Sequence, residues 1–193
     1  INALEPDAKS ERNNLSFPHY YNGAGVAVGD VNNDGLPDIF FVANEGKNSL
    51  YLNQGNFKFD DVTDKAQINP PNKKWSTGAI MADVNADGWL DVYVCQAGYG
   101  LYEDRSEREN LLFINNQDGT FTESAAKYGI NDANESISAA FFDFDKDGDL
   151  DLYVLNESKY AMKVLKTVFD DLEDPIKRRQ ASGSLYRNDE GQL

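Results

Sequence analysis

One thirteen-residue pattern occurs three times in this 193-residue chain and constrains its fold more than any other feature. The copies are residues 30–42 (DVNNDGLPDIFFV), 83–95 (DVNADGWLDVYVC) and 143–155 (DFDKDGDLDLYVL). Each copy has oxygen-bearing side chains at its first, third, fifth and ninth places, a glycine at the sixth, and an apolar run after the ninth. Self-similarity of this kind is typical of repeat architectures, in which each unit packs on its neighbours. The sequence therefore predicts a repeat protein built around an acidic loop.

The oxygen-bearing side chains of the three loops are candidate cation ligands. They are Asp30, Asn32, Asp34 and Asp38; Asp83, Asn85, Asp87 and Asp91; and Asp143, Asp145, Asp147 and Asp151. The seventh residue (Leu36, Trp89 or Asp149) is expected to offer its backbone carbonyl, because its side-chain type varies freely. Ligands that are all oxygen, several of them anionic, favour a hard cation, and their number favours Ca²⁺ over Mg²⁺. The sequence predicts three Ca²⁺ sites, one in each loop.

Two other interpretations of the acidic loop fit the pattern less well. An EF-hand needs a glutamate at the twelfth place and a helix on either side, but this place holds Phe41, Val94 or Val154. An acidic surface turn without a metal is plausible for one such loop. A metal-free surface turn does not explain why the same glycine and the same ninth aspartate occur in all three copies.

Each unit is predicted to contain short strands on both sides of its loop. The expected strands are residues 25–29, 38–43, 49–53 and 57–62; 77–82, 91–95, 111–115 and 120–124; and 137–142, 151–155 and 184–188. The second strand of each unit is apolar without alternation, which predicts that both of its faces are covered. The first strands carry small residues, which suit the crowded inner end of a radial array. The predicted fold is all-β, a partial β-propeller of four-stranded antiparallel blades with calcium loops between the first and second strands.

The predicted division of the chain follows these units. Residues 1–21 form an extended lead-in, 22–68 a first blade, 69–130 a second, and 131–193 a third, incomplete blade. A helical insert is expected at about residues 157–183, because Ala161, Leu165, Val168 and Leu172 follow helical spacing.

Composition limits the classes of partner and chemistry. The net charge of −15 disfavours nucleic acid and anionic membrane surfaces, and we expect no membrane-spanning segment, because no apolar run approaches the required length. The chain starts without the features of a signal peptide. The single cysteine, Cys95, is expected to be a small buried hydrophobe, and the single histidine, His19, an ordinary structural residue. Zinc clusters and Ser/His/Asp triads are therefore not expected.

Several motifs resemble FG-GAP/VCBS repeats of the integrin-α-like propeller type. They are GVAVGD (25–30), NNDG (32–35) and LYLN (50–53), with counterparts of the last ending at Asn115 and Asn188. The chain is also similar to bacterial secreted or surface proteins of the ASPIC/UnbV and cartilage-acidic-protein-like group. The resemblance covers about residues 22–193. It implies Ca²⁺ in the loop between a blade's first two strands, an extracellular, cell-surface or periplasmic location, and further blades from a longer chain or a self-associated copy.

The leading functional hypothesis is a calcium-stabilised binding or scaffold module that recognises a protein or a glycan and has no enzymatic activity. The candidate partner contacts are Trp75, Tyr99, Tyr102, Arg105, Tyr160 and Lys163. The alternative is a propeller fragment of an enzyme acting on carbohydrates or phosphate esters. No nucleophile, phosphate-binding loop or uncommitted pair of acids stands out in the sequence, so no catalytic residue is assigned.

Overall fold

Three antiparallel β-sheets follow one another along the chain. The computed structural model describes residues 23–70, 75–98, 104–157 and 183–189. Sheet 1 consists of β1 (Val26–Gly29), β2 (Asp38–Phe41), β3 (Ser49–Asn53) and β4 (Phe59–Asp61). Sheet 2 consists of β5 (Ser76–Ala82), β6 (Asp91–Gln96), β7 (Leu111–Asn115) and β8 (Phe121–Glu123). Sheet 3 consists of β9 (Glu135–Phe142), β10 (Asp151–Glu157) and β11 (Ser184–Tyr186).

Within each sheet the strands lie side by side in chain order, as in a meander. Every strand predicted from the sequence is present, and the all-β class is confirmed. The apolar runs rich in β-branched and aromatic residues form the second strands, whose backbone groups pair on both sides. Short helical turns were not predicted: α1 (Thr63–Ala66), α2 (Ala125–Tyr128) and a 3₁₀ turn at Arg105–Glu107. Four residues or fewer are too short to produce a helical periodicity.

The three sheets stack face to face, and two apolar cores fill the spaces between them. Side chains of alternate residues point to opposite faces of a strand, so Val92 and Val94 of β6 enter the core shared with sheet 1. Tyr93 and Cys95 enter the core shared with sheet 3. All six residues of β6 are buried, as the sequence predicted for a strand covered on both faces.

The prediction that both faces are covered is wrong for the second strands of the two outer sheets. Phe41 of β2 and both Tyr153 and Leu155 of β10 are exposed. In the described part of the chain, sheets 1 and 3 each have a neighbouring sheet on one face only. An unbroken apolar run therefore does not distinguish a central sheet from a terminal one.

The first strands of the three sheets lie close together at one edge of the stack. Gly25 N donates a 2.7 Å hydrogen bond to Thr77 O, and Thr77 Oγ1 donates one of 2.6 Å to Ser136 O. A Cβ atom added to Gly78 would lie 2.6 Å from Ile137 O. The predicted crowding of this edge is therefore present, and glycines make its closest contacts.

Other expectations have mixed outcomes. Cys95 is buried, as predicted. In the described part of the chain, no helix has the length and apolar character needed to cross a bilayer. The lead-in at residues 1–21 and almost all of the predicted helical insert lie outside the described residues.

Candidate metal centre

Each acidic loop connects the first and second strands of its sheet, as predicted. Residues 30–38 join β1 to β2, residues 83–91 join β5 to β6, and residues 143–151 join β9 to β10. The first residue of each loop comes directly after a strand, and the ninth begins the next strand. Because the paired strands are antiparallel, the loop must reverse the chain within a few residues.

Two left-handed backbone positions produce this reversal. The sixth residues, Gly35, Gly88 and Gly148, have φ angles of 85°, 86° and 99°. The fourth residues, Asn33, Ala86 and Lys146, have φ angles of 57°, 55° and 67°. Glycine adopts this conformation without steric cost, and asparagine tolerates it better than alanine or lysine does. The positive φ at the sixth place explains why all three copies have glycine there. The fourth place also has a positive φ, but its residue type differs among the copies, so the sequence did not reveal it.

The first aspartate of each loop accepts hydrogen bonds from backbone N–H groups of the same loop. Asp30 accepts from Asp34 N at 3.1 Å and from Gly35 N at 2.7 Å. Asp83 accepts from the equivalent Asp87 N and Gly88 N at 3.0 and 2.8 Å. In the third loop Asp143 accepts from Gly148 N at 3.3 Å, but its second donor is Lys146 N, at 2.7 Å. The loop therefore curls around its first carboxylate.

The ninth aspartate is buried and joins the loop to the third strand. One oxygen of Asp91 accepts a 3.1 Å hydrogen bond from Val84 N, and the other accepts one of 2.8 Å from Asn115 N. Asp38 and Asp151 make the equivalent pairs of bonds, to the N–H groups of Val31 and Asn53 and of Phe144 and Asn188. The ninth aspartate thus has a structural role that does not depend on a metal.

The asparagine whose N–H bonds the ninth aspartate has a further role in each loop, which was not predicted from the sequence. Asn53, Asn115 and Asn188 donate from Nδ2 to the eighth loop residue's carbonyl, at 3.0 Å to Pro37 O, 3.2 Å to Leu90 O and 3.3 Å to Leu150 O. Each of these asparagines is the last residue of the four-residue motif that reads LYLN (50–53) in the first repeat. Their recurrence at equivalent positions is the sequence signal for this shared role.

Burial makes ionisation of two of the ninth-place aspartates, Asp91 and Asp38, less favourable than in water. It raises the pKa of Asp91 to about 6, against the opposing effect of the hydrogen bonds from Asn115 and Val84. Burial likewise raises the pKa of Asp38. In the third loop, partial desolvation and then the charges of Asp147 and Asp151 raise the pKa of Asp145. A bound cation would oppose all of these shifts, because it favours the ionised form.

The third loop brings carboxylates together at a spacing that fits one ion. Single oxygens of Asp143, Asp145 and Asp151 all lie within 4.8 Å of one another. Oxygens on opposite sides of a Ca²⁺ ion are about 5 Å apart, since each Ca–O distance is about 2.3–2.6 Å. A second group, Asp145, Asp147 and Asp189, meets the same limit, and Asp189 was not a predicted ligand. The donor set is oxygen only and fits a hard divalent cation.

The seventh residues lie where the loop turns back towards its second strand. The N–H groups of Leu36, Trp89 and Asp149 donate to the fifth-place aspartates Asp34, Asp87 and Asp147, at 2.8, 2.9 and 3.0 Å. These bonds fix the position of the seventh residue relative to the fifth. The role of its carbonyl as a ligand stays a prediction.

The first two loops are also joined to each other. Asn33 Nδ2 donates to Gly88 O at 3.1 Å, and Asn115 Nδ2 donates to Val31 O at 2.8 Å. These two hydrogen bonds place the first two loops side by side at one end of the stacked sheets.

The predicted partner contacts differ in their exposure, and only two of them lie in the described part of the chain. Trp75 is only 1% exposed, so its side chain offers almost no surface to a partner. Arg105 is exposed, and its Nε lies 3.6 Å from Glu109 Oε1. Tyr99, Tyr102, Tyr160 and Lys163 lie outside the described residues.

Comparison with known proteins identifies the repeat. The model of the FG-GAP-like repeat matches residues 30–94 and 100–154, which include all three acidic loops. Cartilage acidic protein 1 of Mus musculus is 27% identical over 162 residues, which cover 81% of this chain and 24% of that protein. The Xenopus tropicalis protein of the same name is 28% identical over 145 residues, covering 74% of this chain and 21% of its own. This chain thus spans about a quarter of the length of these relatives. It belongs to the FG-GAP-like repeat family.

Proposed function

We propose that each of the three acidic loops binds one Ca²⁺ ion and that the ions stabilise a non-enzymatic, extracellular binding module. The observation that carries the proposal is the threefold repetition of one loop geometry. In every copy the first aspartate organises the loop, a glycine with positive φ turns it, and a buried ninth aspartate joins it to the third strand.

Electrostatics supports a cation in these loops. Like charges a few ångströms apart repel by roughly 1 kcal/mol or more per pair near a protein surface. A cation that binds the folded state alone would remove this repulsion and add about 2.7 kcal/mol of stability per site at a hundredfold excess over Kd. We therefore propose that the metal-free chain is folded less stably than the loaded one.

The metal proposal is tested by titration calorimetry with CaCl₂ and by thermal unfolding in CaCl₂ and in EDTA. We expect binding heat with three ions per chain and a lower Tm in EDTA. The variant Asp147→Asn removes one carboxylate of the third loop but keeps an oxygen for the Asp149 N–H, so it should weaken one site without disrupting the loop. An absence of heat together with an unchanged Tm in EDTA would refute the proposal.

The matched control uses an acid outside the loops. Asp64 is exposed and pairs with Lys47 at 3.0 Å, so Asp64→Asn changes the net charge by the same amount. We expect Asp64→Asn to leave all three calcium sites unchanged. If both variants reduce binding equally, the effect is one of net charge rather than of ligation.

Membership of the FG-GAP-like family supports a binding role outside the cell for this module. The proposed ligand is a protein or a glycan, recognised at the end of the sheets opposite the acidic loops, where Arg105 is exposed. A glycan array and affinity capture on the calcium-loaded chain, with Arg105→Ala as the comparison, test this role. Hydrolysis of a sugar or phosphate-ester substrate, abolished by substituting one acid outside the loops, would instead indicate an enzyme.

We also propose that the three sheets are blades of a β-propeller, with the boundaries 22–68, 69–130 and 131–193. Their face-to-face stacking supports this proposal, as does the contact of their first strands at one edge. Electron microscopy of the longer protein would test it, because a closed ring of radially arranged sheets is recognisable in projection. An extended row of sheets would contradict it.

A further inference from the structure

A continuous path of buried hydrogen bonds joins the ninth aspartates of the first and second loops. It begins at Asp38, whose Oδ2 accepts a 3.0 Å hydrogen bond from Val31 N. Val31 O accepts one of 2.8 Å from Asn115 Nδ2, and Asn115 N donates one of 2.8 Å to Asp91 Oδ1. Each of these four residues is at most 5% exposed. Because a buried polar group that loses its partner is costly, this path resists separation of the two loops.

A second contact joins the same two loops at the residues that turn them. Asn33 Nδ2 donates to Gly88 O at 3.1 Å. Asn33 lies between two predicted ligands of the first loop, Asn32 and Asp34. Gly88 N donates at 2.8 Å to Asp83 Oδ2, which belongs to the first carboxylate of the second loop. Asn33 and the carboxylate that organises the second loop therefore contact the same glycine.

We infer that the first and second loops bind Ca²⁺ with positive cooperativity and that Asn33 and Asn115 transmit the effect between them. The inference rests on the proposed function, since it concerns how two of the proposed calcium sites affect each other. An ion that orders one loop holds the neighbouring loop in place through these contacts. The second ion then binds with a smaller loss of conformational entropy. Both asparagines are positioning residues, because they act on the ligands of the sites and not on the ions.

The sign of the cooperativity distinguishes these contacts from the effect of charge. A Ca²⁺ ion in one loop makes the neighbouring loop less attractive to a second cation, so charge alone produces negative cooperativity. Salt weakens that effect, since the Debye length is about 8 Å at physiological ionic strength. The hydrogen bonds between the loops are short-range contacts that salt does not screen in this way. Positive cooperativity is therefore the signature of the contacts.

The third loop provides a comparison within the same chain. Ala86 occupies the place of Asn33 in the second loop, and it has no side-chain donor. The contact that Asn33 makes with Gly88 therefore cannot recur between Ala86 and Gly148 of the third loop. We expect the third site to be coupled more weakly to the second site than the first site is.

Calcium titration of the full chain, followed by amide NMR spectra at physiological ionic strength, measures each site separately. The amide signals of Gly35, Gly88 and Gly148 report on the three loops, because each N–H donates to the first aspartate of its own loop. We expect the Gly35 and Gly88 transitions to coincide. Their Hill coefficient should be about 1.4 or more, the value for a fivefold coupling between two sites. The Gly148 transition should be less steep.

Asn115→Ala removes the buried path, and Asn53→Ala is its matched control. Asn53 Nδ2 donates to Pro37 O in its own repeat, as Asn115 Nδ2 donates to Leu90 O. Only the bond from Asn115 Nδ2 to Val31 O, of these three, joins two loops. Each variant should weaken the site of its own repeat. Asn115→Ala should also lower the Hill coefficient of the first two sites to that of independent sites, whereas Asn53→Ala should not.

Asn33→Ala tests the second contact and does so even if Asn115→Ala fails to fold. Alanine is the residue that the second loop has at this place, with a similar φ, so the loop geometry accepts it. We expect a lower Hill coefficient at Gly35 and Gly88 and an unchanged transition at Gly148. Asn116→Ala is the control, because the exposed Asn116 donates to Thr120 Oγ1 within its own hairpin. It should leave all three transitions unchanged.

Three results would overturn the inference. One is independent single-site transitions at Gly35 and Gly88 in the wild-type chain. Another is undiminished cooperativity in Asn33→Ala, and the third is an equal loss of cooperativity in Asn53→Ala and Asn115→Ala. Its failure is distinguishable from that of the proposed function. Independent calcium-dependent transitions refute only the coupling, whereas glycine signals that do not respond to calcium refute the metal proposal and the coupling together.

Discussion

At the scale of single residues, Cys95 offers a direct test of the packing between sheets 2 and 3. Its side chain is 1% exposed, and burial raises the pKa of the thiol to about 12. The thiolate is the reactive form of cysteine, so we expect almost no reaction with a thiol reagent such as dithionitrobenzoate at pH 8 in the native chain. One equivalent should react in denaturant. Rapid reaction of the native chain would contradict the burial of this strand.

Ala86, in the second loop, has a backbone conformation that is unfavourable for its residue type. Its φ of 55° disfavours alanine, whereas the first loop has asparagine at this place. We expect Ala86→Gly to stabilise the chain by about 0.5–1 kcal/mol, since the left-handed conformation costs alanine roughly 1–2 kcal/mol and part of the gain is lost to backbone entropy. Urea unfolding in EDTA measures the change without a contribution from calcium binding.

The same substitution elsewhere is the control for Ala86. Ala126 lies in α2, which is right-handed, and its side chain is exposed. Ala126→Gly should destabilise the chain by up to about 1 kcal/mol, because glycine is a poor helix residue. Destabilisation by both substitutions would mean that the backbone strain at Ala86 is not released by glycine.

At the scale of an element, the hairpin of β3 and β4 contains an aromatic residue in a conformation suited to glycine. Lys58 N donates to Gly55 O at 3.0 Å, and the two residues between them, Asn56 and Phe57, have φ angles of 51° and 57°. Positive φ at both central residues is the feature of a type I′ turn, which favours glycine at its second central position. The equivalent residue in sheet 2 is Gly119, with a φ of 84°.

We therefore expect Phe57→Gly to stabilise the chain by about 1 kcal/mol, since the exposed ring buries almost no surface that would be lost. Chemical denaturation measures the change. Lys58→Gly is the matched control, because Lys58 is exposed and its φ is not positive, so the added flexibility should destabilise the chain. If Phe57→Gly is destabilising, the phenyl ring makes a contact in solution that its exposure does not show.

At the scale of the whole molecule, the sequence predicted the repeat unit more accurately than the assembly of units. Strand positions follow from local apolar runs, and the loop positions follow from a glycine and alternating oxygen ligands, which are both local signals. The exposure of a side chain is not determined by the local sequence. Val94 and Phe41 are both apolar and occupy equivalent places, yet Val94 is buried and Phe41 is not. Their difference depends on whether another sheet is present. The contact of Asp91 with Asn115 likewise joins residues far apart in sequence, so aligned repeats could reveal the asparagine but not its partner.

Gly78 allows the first strands of sheets 2 and 3, β5 and β9, to lie in close contact. A Cβ atom at this position would lie 2.6 Å from Ile137 O, a contact with backbone that no side-chain rotation relieves. We expect Gly78→Ala to force β5 and β9 apart and to destabilise the chain by about 1–3 kcal/mol, the range for overpacking in a core. Gly23→Ala is the control, since a Cβ there meets no atom within 4 Å. Urea unfolding followed by tryptophan fluorescence measures both variants, because Trp75 lies just before β5. Equal stability of the two variants would mean that the sheets can separate at this edge without loss of packing, and that glycine is not what fixes their spacing.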